Sequence, residues 1–152
     1  MRPGFECFAQ ELLLNVLYVL FVSANHKLSG VGEIEGGELA GETMIVRRQC
    51  EGLPEISRYF TNRAVRPSFS LRTLSDDRAM SMVEAGLGVT VAPESFQSAG
   101  LAAVKLEGFT LSRDVGLVFS DRVRERSGAF VDAARATYAA AAKPPIAKQG
   151  KR

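Results

Sequence analysis

Residues 75–96 read SDDRAMSMVEAGLGVTVAPESF. Ser75 can cap a helix by accepting a hydrogen bond from a backbone N–H two or three residues on, and Asp76 and Asp77 put negative charge at the positive end of the helix dipole. Ala79, Met80, Met82, Val83 and Leu87 then recur at helical spacing, against the more polar Arg78, Ser81 and Glu84, which predicts an amphipathic helix facing a core. Gly86 suits the left-handed residue that ends a helix, and Gly88 permits a close backbone turn. Val89 to Ala92 is β-branched and short, as in a buried strand, and Pro93 stops it for want of an N–H. The predicted unit is helix, tight turn, buried strand, and a second short helix opening near Glu94.

The same periodicities organise the flanks. Leu12 to Ala24 is almost wholly apolar, but it is shorter than the roughly 20 residues needed to cross a bilayer. Arg2, the apolar run and the V-S-A before Asn25 imitate a secretory signal, whereas Glu6 and Glu11 spoil its positive start. The preferred reading is an irregular lead-in over Met1 to Glu11 and a buried strand over Val16 to Ser23. Asn25 to Gly41 is glycine-rich loop with one turn of helix around Glu38 to Ala40. Further strands are expected at Thr43–Val46, Ser68–Thr73, Gly100–Leu106 and Asp114–Ser120. Pro54 starts a helix with Leu53, Ile56, Tyr59 and Phe60 on its apolar face, and Ser127 starts a last one through Phe130, Val131, Ala134 and Tyr138. Lys143 to Arg152 reads as a flexible basic tail. Strands alternating with helices imply an α/β fold with a mostly parallel sheet flanked by helices.

Composition narrows the function classes. The chain has 152 residues, a formal net charge of +2, two cysteines and one histidine. That length can bury about two-thirds of the unfolded surface, so a core forms without staples. No element carries the clustered Lys and Arg of a nucleic-acid groove. Cys7 and Cys50 make no disulfide framework, and a reduced, cytoplasmic setting is the simpler expectation. No G-x-S-x-G elbow accompanies His26, and His26, Cys7 and Cys50 are too scattered for a metal, so neither an enzyme nor a cofactor is expected. Gly86-Leu87-Gly88 follows a helix and precedes a strand, the reverse of a nucleotide-binding G-x-G. Arg47 and Arg48 near Cys50 could favour its thiolate, although an inert half-buried cysteine is the stronger reading.

A binding site remains. In open α/β sheets ligands sit beyond the carboxyl ends of strands, beside helix N-termini. Here those ends are Arg47, Arg48 and Gln49, then Thr73 and Ser75, then Ala92, Pro93 and Glu94. A small carboxylate or similar anion would suit the arginines or the Ser75 helix start, while Asp76 and Asp77 oppose it and plain capping accounts for Ser75 equally well.

The run M-V-E-A-G-L-G-V-T-V-A-P-E-S resembles the "V-x-A-G-L-G-V-x-x-x-P-x-S" segment of the ligand-sensing domain of LysR-type transcriptional regulators. The segments N-H-K-L-S-G at Asn25, G-E-L-A-G-E-T-M-I-V at Gly37 and R-D-V-G-L-V-F at Arg113 stand in the order that family uses, and the likeness covers most of Leu14 to Ala142. The resemblance implies a periplasmic-binding-protein-like (type II) lobe with part of a second, and a role in binding a small-molecule effector. It makes Val16 to Ser23 the strand crossing between lobes, His26 a structural residue, 1–24 the lead-in and crossing strand, 25–103 the second lobe, 104–142 the return toward an incomplete first lobe, and 143–152 the tail. Residues 1–24 cannot hold the family's helix-turn-helix, so this chain alone is expected not to bind DNA. The apolar faces of Val16–Phe21 and Phe130–Tyr138 are expected to lack cover and to drive homo-oligomerisation; no membrane partner is expected. Two other readings stand beside it, a lobe of a transport-type solute-binding protein and a small α/β enzyme.

Overall fold

A computed structural model describes residues 8–120 and 127–141. Cys7, the start of the lead-in and the tail from Lys143 lie outside the described residues. The elements are β1 (Phe8–Ser23), β2 (Glu33–Ile34), β3 (Thr43–Arg47), α1 (Leu53–Asn62), β4 (Ser68–Thr73), α2 (Asp76–Glu84), β5 (Thr90–Pro93), β6 (Leu101–Leu106), β7 (Ser112–Ser120) and α3 (Gly128–Ala141), with 3-10 turns at Gly36–Leu39 and Glu94–Phe96. Two compact units divide them. One takes residues 17–111, and the other joins the start of β1 through Val16 to the segment from Ser112.

Within 17–111 the central stretch folds as its chemistry predicts. The Ser75 hydroxyl accepts the N–H of Arg78 at 3.3 Å, so α2 begins under a side-chain cap. Ala79 and Val83 are fully buried and Met80 and Met82 pack beside them. Leu87 is not part of that stripe: it is 58% exposed. Gly86, at φ +77°, has already left the helical path, so the next side chain no longer follows the 3.6-residue spacing. Gly88 is needed for another reason, since a Cβ there would come within 2.6 Å of the Thr43 carbonyl oxygen. That approach lets Met44 and Val89 form a parallel bridge, with Ile45 N–H donating to Val89 O and Val89 N–H to Thr43 O, both at 2.8 Å.

β3 and β4 run parallel, from Thr43 beside Ser68 to Arg47 beside Thr73, with a one-residue slip between Thr43 and Ile45 that leaves Phe69 and Ser70 opposite Met44. The second sheet has the order β2-β6-β1-β5, with β7 also on β1. β2 runs parallel to β6, and the antiparallel ladders are those made by β1, with β5 through Tyr18–Phe21 and with β6 through Leu20–Ser23. The loop expected over Asn25 to Gly41 therefore contains a two-residue strand, too short for periodicity to reveal.

β1 is buried on both faces here. Tyr18, Leu20 and Val22 enter a core with Leu39, Met44, Tyr59, Phe60 and Val104, while Val19 and Phe21 enter another with Ile45, Ala79, Val83 and Ala92. Each large side chain so buried contributes about 2–3 kcal/mol. The expected uncovered face over Val16–Phe21 is thus absent, with Leu17 its sole exposed large side chain. Neighbouring elements cover both sides of the period-two alternation.

In the other unit, β1 starts at Phe8, so residues 8–11 are strand rather than irregular lead-in. Glu11 and Gln10 extend a sheet because β7 supplies a ladder partner, and the Glu11 carbonyl oxygen sits where a Cβ on Gly116 would fall. Asn15 donates to Ser112 Oγ at 3.0 Å and Asp114 Oδ1 at 2.7 Å, and Arg135 on α3 pairs with Glu11. Val131 is buried, whereas Leu12, Val118, Phe130 and Tyr138 are exposed.

Candidate functional site

The carboxyl ends of three strands of the 17–111 unit meet. Arg47 ends β3 level with Thr73 of β4, Arg48 N–H donates to Thr73 O at 3.0 Å, and Arg47 Nη1 donates to Val91 O on β5 at 3.3 Å. All eight residues expected to line a site flank this junction, but they do not present themselves alike.

Arg47 is 4% exposed, and its Nε and Nη1 both have partners. Its Nε donates to Asp76 Oδ1 at 2.7 Å, its Nη1 also points to Cys50 Sγ at 3.5 Å, and its guanidinium lies 5.0 Å from the centroid of Phe96. Burial works against its charge, yet the hydrogen bond it donates to Asp76, helped by Cys50, holds the guanidinium above its ordinary pKa. Arg47 is therefore a fixed cation joining β3, the first turn of α2, β5 and the turn after it. Asp76, read from the sequence as hostile to an anion, has its charge countered by that cation.

Arg48 and Gln49 are exposed on the loop. Thr73 Oγ1 accepts the Ser75 N–H at 3.1 Å and Ser75 Oγ caps α2, so both hydroxyls set the helix start. Ala92 and Pro93 are buried and offer only backbone, and Glu94 is half-buried at the head of the 3-10 turn. A small recess of about 20 Å³, partly open to solvent, lies among Met44, Arg47, Cys50, Ile56, Phe69 and Val91. Its lining is mostly apolar, and Thr90 in its wall already donates to Ile45 O at 2.8 Å. Cys50 is buried, and Arg47 is the arginine that faces its sulfur, at 3.5 Å.

Sequence reasoning missed Asp76, Phe96 and the Val91 carbonyl as partners of Arg47. A single sequence carries no signal for contacts 29 to 49 residues away. It also missed the pair of Tyr18 Oη with Glu51. His26 stands apart: its Nδ1 accepts the Leu28 N–H at 3.2 Å and its Nε2 lies 3.3 Å from Glu42 Oε2, so it braces a loop. Among the described residues no three His, Cys, Asp or Glu gather as metal ligands, and no helix is long and apolar enough to cross a membrane.

The model of the LysR substrate binding domain matches residues 2–139. The chain belongs to that family. The match also sets aside the transport reading. No curated protein matches the chain. Among solved structures of LysR proteins, the CcmR regulatory domain of Synechocystis PCC6803, in complex with 2-PG, is similar at 19% identity and a TM-score of 0.66, over 90% of this chain and 70% of that one. HinK of Pseudomonas aeruginosa is similar at 16% and 0.70, over 90% and 50%. The effector binding domain of QuiR, in complex with shikimate, is similar at 16% and 0.59, over 93% and 66%. The chain thus spans half the length of HinK, and at these identities the likeness establishes the shared LysR-domain fold: α/β, periplasmic-binding-protein-like type II.

Proposed function

We propose that the chain senses a small-molecule effector for a LysR-type transcriptional regulator, and that the effector is a carboxylate or similar anion. The observation that carries this is the junction of β3, β4 and β5 ends at the start of α2, where Arg47 cancels the Asp76 charge. The positive end of the α2 dipole then faces an anion without the local penalty that Asp76 alone would impose. Exposed Arg48 and Gln49 supply donors that reach solvent, Thr73 and Ser75 fix the helix start, and the backbone of Ala92, Pro93 and Glu94 forms the far rim. The ligands of the relatives, 2-PG for CcmR and shikimate for QuiR, agree with a small effector. Residues 17–111 serve as the fuller lobe. The role involves no turnover, and as transcription regulation it belongs to the cytoplasm.

The test is a two-dimensional amide NMR titration with shikimate and, separately, inorganic phosphate. Shifts gathered at 47–49, 73–77, 92 and 94, weakened at least fivefold by Arg48→Gln, are expected. Shifts scattered over the surface, or none with either probe, overturn the anion reading.

Self-association belongs to the same proposal. Leu12, Val118, Phe130 and Tyr138 expose large apolar side chains on one small unit, and contact between copies would remove them from water. Light scattering after size exclusion should give a dimer or larger species that Phe130→Asp reduces toward monomer; a wild-type monomer at high concentration sinks the idea.

A further inference from the structure

The loop after β1 holds its histidine in one tautomer. Leu28 N–H points at His26 Nδ1, 3.2 Å away, and a hydrogen cannot be shared with a second hydrogen. Nδ1 must be bare, so the ring proton sits on Nε2 and is donated to Glu42 Oε2 at 3.3 Å. Glu42 also takes Lys27 Nζ at 2.6 Å, so Glu42 from the approach to β3 and Lys27 from the loop itself are the charged groups in this contact set. Both the His26 and Glu42 side chains are largely covered, which limits replacement of either bond by water.

The two partners of the ring ask for different things on acidification. Glu42 welcomes a cationic ring and keeps its hold on Nε2. Leu28 loses its acceptor, because the incoming proton occupies Nδ1. The Leu28 side chain lies in the core with Ile34, Leu39 and Met44, and its carbonyl accepts Val31 N–H at 3.2 Å, so its backbone cannot turn away without disturbing the turn and the packing beneath it. We infer that His26 is a pH-sensitive latch on the Leu28 amide: neutral, it accepts the Leu28 N–H; protonated, it releases that N–H while remaining tied to Glu42, and the turn is left to its backbone bonds, Ser29 N–H to His26 O and Val31 N–H to Leu28 O. This goes beyond effector binding and does not depend on it.

The experiment uses the unaltered chain. Long-range nitrogen–proton NMR correlations of the imidazole report the tautomer, and the Leu28 amide is followed by its shift and its hydrogen exchange between about pH 5 and 8, where histidines titrate. At the alkaline end the Nε2–H tautomer is expected. On acidification the Leu28 amide should titrate together with the ring, and its protection, corrected for intrinsic exchange, should fall about five- to tenfold, as for loss of one hydrogen bond. In His26→Gln, which has no titrating ring, the Leu28 dependence should vanish. An Nδ1–H tautomer, a Leu28 amide that ignores the ring's titration, or the same Leu28 dependence in His26→Gln would each overturn the proposal.

Discussion

Arg47 Nε lies 2.7 Å from Asp76 Oδ1, and the two ends of this bond live in different media: the arginine side chain is 3% exposed and the aspartate 47%. The pair is therefore asymmetric. Asp76 can do without Arg47 because water reaches it, whereas Arg47 relies on Asp76 to offset its burial.

Asp76→Asn should accordingly cost about 2–3 kcal/mol, less than the loss of one ion from a wholly buried pair. Arg47→Met should leave the Val91 carbonyl without its side-chain donor and cost a similar amount, about 2 kcal/mol. The double variant should be less destabilised than the sum of the two. Urea unfolding of the three proteins measures this coupling, and strict additivity would show that the pair is energetically idle.

Glu42 gives a pH dependence with a definite sign. The hydrogen bond from Lys27 lowers its pKa, burial opposes that, and His26 adds to the lowering. A carboxyl depressed in the folded state contributes its full stability above its unfolded pKa of about 4.3, and loses it as pH falls through the folded value. The stability that Glu42 contributes over Glu42→Gln should thus be present above the unfolded carboxyl pKa and be lost below about pH 4. Thermal unfolding across that range checks it.

Tyr59 works in the opposite sense. Burial raises its hydroxyl pKa, outweighing the nearby Arg63 cation, and the hydroxyl donates to Glu107 O at 2.8 Å. Its contribution is complete below the unfolded value near 10 and is lost as pH rises through the folded one. Tyr59→Phe should cost about 1 kcal/mol at neutral pH and flatten the alkaline limb of the stability curve.

The two glycines that end α2 should respond differently to a methyl group. Gly88→Ala drives a Cβ into the Thr43 carbonyl and should cost about 3 kcal/mol or more, since backbone must move. Gly86→Ala meets open space and only the left-handed penalty of about 1–2 kcal/mol, and Gly86→Asn should recover part of that. Unfolding midpoints of the three variants rank them.

What could be read in advance follows the range of the interactions involved. The Ser75 cap, the α2 stripe through Val83 and the turn glycines are local, and local chemistry announces them. Leu87 misled because a helical pattern was continued past Gly86, where the helix had ended. Phe8 to Glu11 looked irregular because their strand depends on β7, a hundred residues later. The positions of the strand ends were legible from alternation and β-branching. The engagement of Arg47 was not, since nothing near residue 47 distinguishes a guanidinium that will be buried against Asp76 and Phe96 from one that will reach into water.

The slip between β3 and β4 sets which side chains sit abreast at that junction. Carried on without it, the alignment of Thr43 with Ser68 would bring Arg72 level with Arg47, two guanidinium groups on one face. One surplus residue on β4 works as a vernier: it keeps the like charges out of step and delivers a hydroxyl to the place where a second cation would have stood.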